Sequence, residues 1–117
     1  MNKTEEIKSI LKEAQENLNT LLSSSDEKIK NSMAKSFSSK LASIERIDGL
    51  NREFYIILNI LVILWYDRLN YKTKEITAFH DCVGILLDKI DNIDKNVLLL
   101  VDKTFVKAGI ETFKGLW

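Results

Sequence analysis

His80, Asp81 and Cys82 stand side by side, the one place in the chain where an imidazole, a carboxylate and a thiol adjoin. Groups of these types can hold a transition metal or activate a thiolate, provided they converge in space. Neighbouring residues of a helix point in different directions, so a helical triplet cannot close on one ion. No second His exists, and no HExxH or CxxC spacing is present. Asp88, Asp91 and Asp94 suggest a carboxylate cluster at helical spacing, but Lys89 and Lys95 interleave them. That alternation marks a solvated helix face. The four glycines stand singly, which excludes a glycine-rich phosphate loop. Trp65 and Tyr66 beside Arg68 form one isolated cluster and not a stacking platform for bases. The residues therefore assign no catalytic, cofactor or metal site, and the expectation is a protein that is not an enzyme.

The elements that would position any of these groups are helices. The chain of 117 residues suffices for one domain with a small core, and it contains no Pro. Without the strongest helix breaker, a few long helices with short joints are expected. Lys plus Arg and Asp plus Glu each number 17, so net charge is zero. A dedicated nucleic-acid binder usually carries a basic excess, which makes nucleic acid an unfavoured partner. The lone Cys82 excludes an internal disulfide and suits a reducing compartment. Glu and Lys occupy the first turns, where an export signal would have its apolar centre, so cytoplasmic residence is the expectation.

The longest apolar run is FYIILNILVILWY, residues 54–66. It falls short of the roughly 20 residues that a membrane span requires. No second strand-like run exists to pair with it, so it reads as a helix enclosed by others. Asn59 inside it would then need a buried partner or would fix helix register.

Ile7, Leu11, Ala14, Leu18 and Leu21 place a first helix over about 5–22, with Thr4 as its cap. Ser24 and Glu27 have capping-box spacing and open a second helix over 26–47. Its outer face bears Lys28, Lys30, Lys35 and Lys40 and is expected to be solvated. Asp48-Gly49 signals a break, with Asp48 or Asn51 capping a third helix over 50–70. Ile76, Phe79, Val83, Leu86, Ile90, Ile93, Val97 and Leu100 then alternate steps of three and four without a miss. This predicts one long helix over 74–108 with a coiled-coil-like seam for packing or self-association. Gly84 within it suggests a close approach of another helix. In the segment 110–117, Ile110, Phe113 and Trp117 recur at spacings of three and four. They either fold back on the core, the favoured alternative, or dock a partner.

The FYIILNILVILWYDRLN block followed by NYKTKEITAFHDCVGILLDKIDNIDKNVLLLVDKTF, in a Pro-free, Lys/Asn/Ile/Leu/Ser-rich chain, resembles the spirochaete prophage BlyB proteins. These are accessory partners of a small holin-like membrane protein. The resemblance spans the chain and implies a soluble protein that stabilises or regulates a membrane-active phage protein during lysis, at the inner face of the membrane. It carries over no functional residue. The reading as a whole is an all-α protein of about four helices, a bundle with a long C-terminal coiled-coil-like helix, forming a homo-oligomer. The alternative is a small helical subunit of a nucleoprotein complex.

Overall fold

A computed structural model describes residues 2–67 and 72–111. The described residues form five helices and no strand. They are α1 (Lys3–Ser23), α2 (Glu27–Glu45), α3 (Arg52–Asp67), α4 (Thr73–Asp88) and α5 (Lys95–Lys107). Caps fix most of the starts. Asn2 Oδ1 accepts from the Glu5 amide at 2.8 Å, two positions before the expected Thr4. Asp26, and not Ser24, caps α2 by accepting from the Lys28 and Ile29 amides. A carboxylate suits that place because it also complements the positive end of the helix dipole. Asn51 Oδ1 accepts from the Phe54 amide at 2.9 Å at the head of α3. Its Nδ2 donates to the Ile93 carbonyl at 2.7 Å, tying that head to the joint between α4 and α5.

The single helix expected over 74–108 is two helices. A continuous helix of that length would run about 52 Å, whereas the longest extent of the molecule is 38 Å. Breaking it lets both apolar stripes reach one core. The break falls where Asp and Asn offer the backbone alternatives to the helical ladder. Lys89 closes α4 by donating its amide to the Ile85 carbonyl, and Asn92 then donates to the Lys89 carbonyl. Asp94 Oδ1 accepts from the Asn96 and Val97 amides and starts α5. Ile93 is buried in this joint and Ile90 half-buried, which is why the heptad spacing continues through a segment that is not helical.

α1 packs along α2 and α4, α4 along α5, and α3 against α2 and α5. Four aromatic rings from four helices meet between these layers. Phe79 of α4 lies edge-on to Trp65 at 4.9 Å and to Phe105 at 5.0 Å, and Phe37 touches Trp65 at 4.4 Å. The Trp65 indole N–H donates to the Ala34 carbonyl, so its burial leaves no orphaned donor. Asn17, the buried amide of α1, donates to Ser36 Oγ of α2 at 3.0 Å.

α3 is not enclosed all round, contrary to the expectation from its apolar run. Asn59 is exposed, and Ile63 and Tyr66 are 48% and 62% exposed. The helix covers one side of the layer below it, so among the described residues no helix lies over a stripe of its surface. Asn59 therefore meets water and needs no buried partner. Gly49, with φ at 86°, makes the break between α2 and α3 in the left-handed region that glycine enters without a Cβ penalty. Gly84 is different: a Cβ there would lie 3.6 Å from Gln15 Nε2, an ordinary contact, so no close approach requires it.

Two stability measurements check this packing. Phe79→Ala should lower the unfolding free energy by about 3–5 kcal/mol in urea denaturation, as expected for a large cavity among rings. Gly84→Ala should raise it by about 0.5–1 kcal/mol, because the helix gains propensity without a clash. A loss of stability in Gly84→Ala would mean that α1 and α4 approach more closely than described.

Candidate interaction surfaces

The residues that could have done chemistry do not converge. His80 is half-buried, Asp81 exposed and Cys82 buried, as three successive helical positions must be when one face of α4 meets the core. His80 Nδ1 and Asp81 Oδ1 stand 4.0 Å apart at the surface. Cys82 points inward, its sulfur 4.0 Å from the Val101 carbonyl of α5. Burial pushes its thiol well above the usual range, and the Asp81 charge adds to the effect. Such a thiol is a small core side chain and not a nucleophile.

The three aspartates do not share a helix face. Asp88 ends α4 beside Lys89 at 3.5 Å, and Asp94 is the cap of α5. With Asp91 and Asn92 they rim a shallow cavity of about 410 Å³ at the α4–α5 joint. Among the described residues, no group of three or more His, Cys, Asp or Glu is arranged to hold a metal ion. A second hollow, of about 480 Å³, lies between α2 and α3 and is lined by Lys35, Ser38, Trp65 and Tyr66. It contains one exposed cation and no carboxylate, so it has no acid–base pair.

The eight seam residues divide. Ile76, Phe79, Val83 and Leu86 are buried on α4, Ile93 in the joint and Val97 on α5. Ile90 is half-buried, and Leu100 alone is exposed, at 42%. Once the chain turns at residues 89–94, a stripe continuous in sequence is spent on packing within one chain. Leu100 falls on the outer side of α5 because the phase of the new helix is set by the Asp94 cap and not by the preceding heptads. Of the C-terminal set, Ile110 is buried, its amide donating to the Phe105 carbonyl just after Gly109 in the left-handed region. Phe113 and Trp117 lie outside the described residues.

The exposed apolar side chains are where surface chemistry collects. Among the described residues seven large ones are exposed. Leu22 and Ile29 flank the α1–α2 turn, while Ile63, Tyr66, Leu99, Leu100 and Val106 belong to α3 and α5. Sequence periodicity did not single out this set: it counted Leu100 in the inward seam and placed Ile63 and Tyr66 in a run expected to be enclosed all round.

No described helix is long and apolar enough to cross a membrane. Comparison with known proteins returns no matching family model, no similar curated protein and no similar solved structure.

The state of Cys82 is directly measurable. In the folded protein it should resist alkylation at pH 8 while reacting promptly in denaturant. The folded thiol holds its proton above the unfolded value of roughly 8.5. Its contribution to stability is therefore intact below that pH and is lost progressively as pH rises beyond it. A thiol that titrates and alkylates at the rate of an unfolded peptide would contradict the placement of Cys82 against α5.

Proposed function

We propose that this chain is a non-enzymatic helical interaction protein, and specifically a phage-encoded accessory or regulator of a small holin-like membrane protein. The observation that carries the first part is the distribution of side chains. The groups capable of chemistry diverge or serve as caps, while five large apolar residues face outward from two helices. A surface of that kind suits binding rather than turnover. The holin-like partner comes from the resemblance to the BlyB proteins, and a helical fold with no described helix long and apolar enough to span a membrane is compatible with it. The homo-oligomer expected from the heptad seam loses the surface on which it rested, since six of the eight seam residues are buried within the chain.

The test is co-expression with a small holin-like membrane protein of a spirochaete prophage, followed by detergent extraction and light scattering. A particle containing both chains, absent when either is expressed alone, is the expected result. Separate elution of the two in mild detergent would overturn the partner assignment.

A further inference from the structure

The joint between α2 and α3 holds a pair of residues that the fold leaves uncommitted. Asp48 and Gly49 are both exposed, with Gly49 at φ 86°. The chain on either side is tied down. The Ile47 carbonyl accepts from the Tyr55 hydroxyl at 3.1 Å, Asn51 bonds the Ile93 carbonyl, and Ile47 and Leu50 rest against the core. Among the described residues, the Asp48 carboxylate has no hydrogen-bond or ion-pair partner and the Gly49 amide no acceptor, so both groups meet water.

The other aspartates outside the helices are placed differently. Asp26 and Asp94 accept from the opening amides of α2 and α5. Asp91 is followed by Asn92, whose amide donates to the Lys89 carbonyl. The difference matters because an aspartyl carboxyl and the backbone amide after it are held near enough to react within the chain. A Cβ on the following residue hinders their approach, and glycine has none. A hydrogen bond to either group holds it in place against the reaction. Of these four aspartates, Asp48 alone is followed by glycine and has both groups unbound.

We propose that Asp48-Gly49 is a site of spontaneous covalent modification, where the chain rearranges to isoaspartate through a cyclic imide. The Gly49 nitrogen attacks Cγ of the protonated Asp48 carboxyl, and the amide proton and carboxyl hydroxyl leave as water. Water then opens the imide at the Asp48 backbone carbonyl, breaking its bond to the Gly49 nitrogen. The peptide thereafter runs through Cβ and Cγ, and the former backbone carbonyl becomes a carboxylate. Composition and oxidation state are unchanged. The main chain is longer by one carbon, and the added length falls on the link between the end of α2 and the head of α3. The new carboxylate stands on an exposed turn, where it fits an isoaspartate-directed methyltransferase as substrate. This site does not depend on the holin-like partner and is tested without it.

The experiment is prolonged incubation of the folded full chain at neutral pH and physiological temperature. Isoaspartate-specific methylation with a labelled methyl donor and peptide mapping then locate the product. Label should accumulate on the peptide that holds Asp48, at a rate close to that of a synthetic peptide of residues 44–52. The peptides that hold Asp26, Asp91 and Asp94 should stay unlabelled. Asp48→Glu, which keeps the charge but closes its ring far more slowly, should abolish the label. Asp48→Asn should reach the same product through the same imide and gain the mass of an acid over an amide. Because Asp48 is exposed, both variants should keep the fold, which thermal melts check. Gly49→Ala is no clean control, since its Cβ would lie 2.8 Å from Lys3 Nζ in the left-handed region. An unlabelled folded chain beside a labelled peptide would overturn the proposal, because the fold would then protect the turn. So would equal labelling at Asp26 or Asp94, or a label that survives Asp48→Glu.

Discussion

Phe79 is the side chain on which the other elements depend. Its ring meets Trp65 and Phe105 edge to face at 4.9 and 5.0 Å, and Phe37 reaches it at 6.1 Å. A ring makes favourable edge-to-face contacts in a limited set of directions, so three aromatic neighbours around one ring fix the relative positions of three helices. Trp65 carries a second constraint, its hydrogen bond to the Ala34 carbonyl, which sets how α3 lies on α2. Remove the central ring and α3 and α5 lose their common support.

The same arrangement creates the exposed apolar surface. A helix lying over one side of a layer buries one stripe and leaves the opposite one open. In α3 the open stripe carries Asn59, Ile63 and Tyr66, and in α5 it carries Leu99, Lys103 and Val106.

Several polar side chains that suggest chemistry in the sequence have structural tasks in the fold. Asp94 and Asn51 are committed to caps, Cys82 is held neutral in the core, and the carboxylates at the α4–α5 joint are separated by the turn that they help to make. Polar side chains that begin helices are easily mistaken for site residues in a sequence, because caps and sites draw on the same residue types.

The sequence by itself determined the helical class, the inward stripe of α1 and the break at Gly49, because periodicity and turn chemistry are local properties. It also determined which residues of α4 face inward, from Ile76 to Leu86. Only the tertiary structure decided that the heptads after Leu86 pass through a turn. A spacing of three and four is equally regular whether the chain between is helix or joint, and burial of Ile93 preserved the pattern. Only the tertiary structure decided that Asn59 meets water, since an apolar run does not say how many of its sides have neighbours. The exposure of Ile63 and Leu99 was invisible for the same reason: it is decided only when Trp65 and Phe105 close on Phe79.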